Sequence, residues 1–153
     1  MDMEKPAICG GTPVRNTKIF YGHQYIDDAD IQAVVDVMHD DLTCGPKIKE
    51  LEDKLCRITG AEYAVVCSNG TAALHIAALA AGVKEGDEVI TTPITFAASA
   101  NCALYCGAKP VFADINEETY NIDPASVKAL TTEKTKAVVA VDFTGQSVEL
   151  DQL

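Results

Sequence analysis

From Ala61 onward, short apolar runs alternate with segments that read as helix. EYAVVC, DEVITTP, KPVFADI and KAVVAVDF are the runs, and TAALHIAALAAG, FAASANCALYCG and DPASVKAL separate them. Strands joined through helices at this spacing pair side by side in parallel, which predicts an α/β fold built on a mostly parallel sheet with crossover helices. Gly82, Gly86 and Gly107 punctuate the helix ends, and Asp123-Pro124 opens the third crossover helix with a capping residue followed by proline. The last segment, GQSVELDQL, reads as a helix that stops after barely two turns without a cap. A parallel sheet ending there would leave a strand uncovered, so we expect a truncated domain that is part of something longer.

The residues before Ala61 divide differently. Residues 1–25 are irregular and rich in Gly, Pro and aromatic residues. Residues 26–60 predict two amphipathic helices. Ile31, Val34, Val35 and Met38 recur at helical spacing after the acidic start Asp27-Asp28, and Ile48, Leu51, Leu55 and Ile58 repeat the pattern before Gly60. The expected organisation is therefore an irregular arm (1–25), a two-helix segment (26–60) and an incomplete α/β domain (61–153).

Composition limits the partners. Twelve basic residues stand against 23 acidic ones, a net charge of −11, so the surface field repels nucleic acid and anionic lipid. No apolar run approaches the roughly 20 residues of a membrane span, and MDMEKPAICGG lacks a charged-then-apolar leader; a soluble, cytoplasmic protein is expected. The six cysteines, Cys9, Cys44, Cys56, Cys67, Cys102 and Cys106, lack the paired spacing of a zinc ribbon and are expected to be buried free thiols. Cys102 and Cys106, one helical turn apart, leave a metal site conceivable, but none is assigned.

The stretch AVVCSNGTAALHIAALAAG carries the first candidate site. A strand-like run stops at Ser68-Asn69-Gly70-Thr71 and gives way to an Ala/Leu helix former. A helix start of this kind presents unpaired amides and the positive end of the dipole, and so suits an anion. Gly70 permits close approach, Thr71 adds a hydroxyl, and Ala72 adds an amide without bulk. Three other readings stand beside this one: an Asn-Gly hairpin, a glycosylation sequon at Asn69-Gly70-Thr71, and a capped helix with nothing bound. Neither GxGxxG nor GxxxxGK followed by Ser or Thr is present, so the expected ligand is small and carries one phosphate.

ITTPITFAASAN supplies the second candidate, placing Phe96 at the mouth of a helix of small residues. Phe96 reads either as a core aromatic or, if it shares a crevice with Gly70 and Thr71, as a flat wall beside a phosphate.

LTCGPKIKELEDKL, SNGTAALHIAAL, GDEVITTPITFAASANCALYCGAKPVFADI, NIDP and TKAVVAVDFTGQSVELD, in that order, resemble the landmarks of the DegT/DnrJ/EryC1/StrS family of sugar aminotransferases dependent on pyridoxal phosphate. The resemblance implies the N-terminal portion of the large domain of a fold-type-I pyridoxal-phosphate transferase. It also implies that Gly70, Thr71 and Ala72 hold the cofactor phosphate and that Phe96 stacks on its ring. Tyr21, Leu42, Thr43 and Gly70 then border a nucleotide-sugar site. TTPITFAASANCALYCGAKPVF and VDFTG most resemble enzymes that aminate C4 of UDP-linked 4-keto-6-deoxy-N-acetylhexosamines, with glutamate the expected donor and a homodimer the expected assembly.

The same resemblance places the lysine that forms the Schiff base, and the acidic partner of the pyridine nitrogen, beyond Leu153. No catalytic residue is therefore assigned in this chain, and the chain alone is expected not to transaminate. Lys136, in the polar run TEKTK, reads as a solvated surface amine. Two alternatives remain: a dehydratase of the same family, which replaces that lysine, and a self-contained flavodoxin-like module that binds a phosphate ligand without catalysis.

Overall fold

A computed structural model of the chain describes residues 5–20, 22–40, 42–43 and 45–153. It divides into two compact units, Met1–Lys49 and Glu50–Leu153. In the first, a single helical turn at Ala7–Cys9 precedes helix α1, Asp28–Met38. Asp27 caps α1: its Oδ1 accepts from the Ala29 amide (2.9 Å) and the Asp30 amide (3.1 Å), while Asp30 Oδ2 accepts from the Asp27 amide (3.0 Å). This reciprocal cap explains why the helix begins at the acidic pair. Helix α2, Pro46–Thr59, starts on a proline and ends at Gly60, whose φ of +75° is left-handed.

In the second unit, residues 62–67 join no sheet, although the EYAVVC run reads as a strand. β-propensity supplies a fitting surface but no partner, and no ladder forms there among the described residues. The Val66 amide donates instead to Glu52 Oε1 of α2, at 3.1 Å. The other three runs do form strands: β1 (Glu88–Thr91), β2 (Lys109–Phe112) and β3 (Thr135–Val138). They make a wholly parallel sheet in the order β2-β1-β3.

Helix α3 (Gly70–Ala80) precedes β1, α4 (Ala98–Tyr105) crosses from β1 to β2, and α5 (Pro124–Leu130) crosses from β2 to β3. Alternation along β1 sorts the helices to two faces. Val89 packs with Ala78 of α3 and Cys102 and Ala103 of α4. Ile90, wholly buried, packs with Ile122, Val127 of α5 and Val148 on the other face. Burying one such side chain contributes roughly 1.5–3 kcal/mol, so the central strand anchors both layers.

The two helices on the first face end alike. Past α3, Gly82 (φ +77°) lets the Val83 amide reach the Ala78 carbonyl at 3.0 Å; past α4, Gly107 (φ +74°) lets the Ala108 amide reach the Ala103 carbonyl at 2.9 Å. In each pair both residues are buried, completing the apolar contact that accompanies such a cap. A Cβ on Gly107 would lie 3.4 Å from Glu85 Cβ, so the two helices finish side by side. The Lys109 amide, bonded to the Asp87 carbonyl (2.9 Å), puts these ends at the edge where the strands begin. The N-termini of α3 and α4 therefore lie toward the opposite edge, where the strands end.

Two expectations are corrected here. GQSVELDQL forms no α-helix; one helical turn, Leu150–Gln152, follows an irregular stretch. Asn121 Nδ2 donates to the Gln146 and Ser147 carbonyls and Asp142 Oδ1 accepts from the Val148 amide, so side chains claim backbone groups a helix would have used. Of the cysteines described, only Cys102 is buried; Cys9 is exposed and Cys56, Cys67 and Cys106 are half-buried. No helix among the described residues is long and apolar enough to cross a membrane.

Candidate active site

The sheet topology itself locates a crevice. From β1 the chain moves to β2 over one face and then returns past β1 to β3 over the other. The connection leaving β1 rises to α4 on the first face, whereas the one leaving β3 carries Val148 into the layer of α5. Beyond the ends of β1 and β3 these connections diverge, and in open α/β sheets ligands bind in such a gap. The strands stay joined up to its floor: the Val139 amide donates to the Ile90 carbonyl (2.8 Å), and the Thr91 hydroxyl donates to the Val139 carbonyl (2.9 Å).

Phe96 lies on the β1 side of this gap. It is 77% exposed, which removes it from the core and corrects that reading of its role. The short loop carrying it is held by its own hydroxyls. Thr95 and Ser99 pair at 2.7 Å, and the Ser99 amide donates to the Phe96 carbonyl at 3.0 Å. A large aromatic left in water on a braced loop is an available stacking surface.

The N-terminus of α3 opens toward the same sheet edge. Asn69 is its cap, and the Asn69 carbonyl accepts from the Ala73 amide at 3.1 Å. Asn69 Oδ1 accepts from the Ala72 amide at 2.9 Å. The Ala72 amide, expected from the sequence to face an anion, is thus already engaged, because a capping Asn satisfies the third amide of a helix. The amides of Gly70 and Thr71 and the Thr71 hydroxyl meet no acceptor among the described residues. A Cβ on Gly70 would find nothing within 4 Å, so the space before the turn is open. Two amides, one hydroxyl and the helix dipole beside open space suit a phosphate.

Leu42 and Thr43 are exposed and belong to the first unit, and Tyr21 lies outside the described residues. Lys136 is exposed on β3, with its Cε 3.5 Å from where a Cβ of Gly82 would stand. It therefore sits by the C-terminal end of α3, at the sheet edge opposite the crevice. Cys102 offers no nucleophile: burial pushes its thiol up, and its Sγ donates to the Ser99 carbonyl at 3.2 Å.

The loop of residues 142–147 leaves the sheet beyond β3, on the far side of the gap from Phe96. It is tied down by Asn121, buried at 4%, whose Nδ2 donates to the carbonyls of Gln146 (2.9 Å) and Ser147 (3.1 Å) and whose Oδ1 accepts from the Phe143 amide (2.9 Å). NIDP and VDFTG mark these segments in the sequence, but nothing in either stretch announces a clamp over more than twenty residues.

An α/β sheet with a switch-point crevice, flanked by a helix N-terminus and an exposed aromatic, offers the shape and chemistry that suit a planar phosphorylated group. The model of the DegT/DnrJ/EryC1/StrS aminotransferase family matches residues 24–153, and the chain belongs to that family. Its members are pyridoxal-phosphate-dependent transferases. The spore coat polysaccharide biosynthesis protein SpsC of Bacillus subtilis is 44% identical over 140 residues, covering 91% of this chain and 36% of that protein. The UDP-4-amino-4,6-dideoxy-N-acetyl-beta-L-altrosamine transaminase of Campylobacter jejuni is also 44% identical, over 139 residues, covering 88% of this chain and 36% of the relative. Among solved structures, Helicobacter pylori PseC, an aminotransferase involved in the biosynthesis of pseudoaminic acid, superposes with a TM-score of 0.79 at 35% identity, covering 89% of this chain and 37% of the other. The chain spans about a third of the length of the curated relatives it matches.

Proposed function

We propose that this chain is the cofactor-cradling part of a pyridoxal-phosphate-dependent nucleotide-sugar aminotransferase. The observation that carries the reading is the N-terminus of α3, with the Gly70 and Thr71 amides and the Thr71 hydroxyl open, at the sheet edge where Phe96 stands exposed. The two amides and the hydroxyl hold the phosphate, with Ala72 lining the turn beneath Asn69. Phe96 stacks on the ring and keeps water from one of its faces. Pyridoxal phosphate, when bound, supplies the electron sink that lets an amino group pass between a donor and a keto sugar. The family resemblance puts the lysine of that chemistry outside this chain, and Lys136, at the wrong edge of the sheet, does not replace it.

Tyr21, Leu42, Thr43 and Gly70 are assigned to the nucleotide-sugar side of the site. The substrate proposed is a UDP-linked 4-keto-6-deoxy-N-acetylhexosamine aminated at C4, with glutamate as donor; similarity to the Campylobacter jejuni transaminase supports it. We assign residues 1–25, 26–60 and 61–153 to the arm, the two-helix segment and the cofactor domain, and place the enzyme in the cytoplasm as a homodimer. Apolar side chains left exposed on α3 and α4, among them Leu79, Leu104 and Tyr105, support self-association.

The test uses the full-length protein reconstituted with pyridoxal phosphate. A visible absorption band that borohydride removes is expected, and no such band would overturn the assignment. Incubation with the keto sugar and glutamate should give the 4-amino sugar by NMR; amination at another carbon, or loss of a hydroxyl without amination, would replace the proposed reaction.

A further inference from the structure

We infer that Asn121 is a positioning residue of the crevice, acting through the loop of residues 142–147 that walls the gap opposite Phe96. The inference rests on the reading of that gap as the cofactor site.

The three hydrogen bonds of the Asn121 side-chain amide all go to one loop. Its two donor bonds and its one acceptor bond go to Gln146, Ser147 and Phe143, respectively 25, 26 and 22 residues away in sequence. Inside the loop, Thr144 takes φ +54° and ψ +20°, a left-handed conformation that a β-branched residue adopts only under constraint. Its hydroxyl turns back on the Phe143 carbonyl (2.7 Å), so no bond from this side chain to another segment compensates for the strain. Tyr120, next to the clamp, is also left-handed (φ +59°), and its ring stands 6.2 Å from that of Phe143.

A connector needed only to bring Val148 into the core requires neither feature, because the Asp142 carboxylate already fixes the Val148 amide (2.8 Å). The strained tip is instead held beyond the end of β3, where the topology opens a crevice. Strain kept in place by surrounding bonds gathers where geometry must be exact for a ligand. Asn121 thereby sets the shape of the wall on the β3 side, as the Thr95 and Ser99 hydroxyl pair does on the β1 side.

The experiment compares full-length wild-type protein with Asn121→Ser, Thr144→Pro and the double variant Asn121→Ser with Thr144→Gly. Each is titrated with pyridoxal phosphate, and visible circular dichroism of the bound cofactor and Tm are recorded separately. Asn121→Ser is expected to raise Kd about tenfold, equivalent to ~1.4 kcal/mol, and to diminish the dichroic band. Adding Thr144→Gly should recover part of both, because glycine enters the left-handed region freely. Wild-type affinity and dichroism in Asn121→Ser, whatever its Tm, would make the residue merely structural and overturn the inference. Should Asn121→Ser fail to fold, Thr144→Pro decides: the site is exposed, proline excludes the observed φ, and an unaltered Kd and band would overturn the inference equally. A wild-type protein that binds no pyridoxal phosphate fails the underlying reading instead, a result distinct from a defect confined to the variants.

Discussion

Asn69 Oδ1 accepts the Ala72 amide at 2.9 Å, so the helix that cradles the proposed phosphate is closed by its own cap before any ligand arrives. Of the amides a helix start leaves free, the cap takes one and the turn offers two. Asn69→Ala should therefore lower the unfolding free energy by about 1 kcal/mol in urea titrations while leaving pyridoxal phosphate affinity within about threefold of wild type. A tenfold loss of affinity would instead make the Asn69 side chain part of the ligand site.

Thr71→Val keeps the backbone amide and the side-chain shape but removes the hydroxyl. A hydrogen bond to a charged group is worth about 1.5–3 kcal/mol, so cofactor affinity should fall by at least tenfold. Equilibrium titration of the full-length variant reads this directly. Unchanged affinity would leave Thr71 as a helix residue with no ligand.

Phe96 separates a core role from a site role cleanly. Because it is 77% exposed, Phe96→Leu should alter stability by no more than about 0.5 kcal/mol while shifting the visible spectrum and dichroism of the bound cofactor. A loss of several kcal/mol with an unaltered spectrum would return the residue to the core.

Glu88, at the opposite edge of the sheet, should make stability depend on pH. Its Oε2 accepts from the Thr132 hydroxyl at 2.8 Å and its Oε1 from Lys109 Nζ at 3.4 Å. The Thr132 bond first, and Lys109 after it, hold the carboxyl below its ordinary value of 4.5, against some opposing desolvation. A depressed folded pKa means that the contribution is complete above 4.5 and fades as pH falls through the folded value. Glu88→Gln should therefore be less stable than wild type at about pH 6, with the gap narrowing toward about pH 3. Urea midpoints across that range would show a constant gap if Glu88 carried no such linkage.

Much of this was legible in the residues. The acidic start of α1, the Asp123 cap with the proline opening α5, and the glycines closing α2, α3 and α4 act within a turn or two of themselves, and local chemistry of that kind is written in the chain. The parallel strands β1 to β3 followed from their alternation with helices. The landmarks from SNGTAALHIAAL to VDFTG likewise carried the family resemblance by themselves.

Other features needed partners that no local pattern names. EYAVVC has the composition of a strand, but a strand exists only where another offers its ladder, and the Val66 amide turns to Glu52 instead. GQSVELDQL has the composition of a helix, but Asn121 and Asp142 claim its backbone groups.

The amino-acid sequence by itself determined the class of fold, the family and the helix start at Asn69, because capping, periodicity and turn chemistry act over a few residues. Only the tertiary structure decided that Phe96 is exposed, that Lys136 stands at the wrong edge, and that Asn121 grips a strained loop beside the crevice. Those outcomes depend on which strand lies beside which. The order β2-β1-β3 is set by packing against both faces of β1, a balance no single stretch of the chain contains.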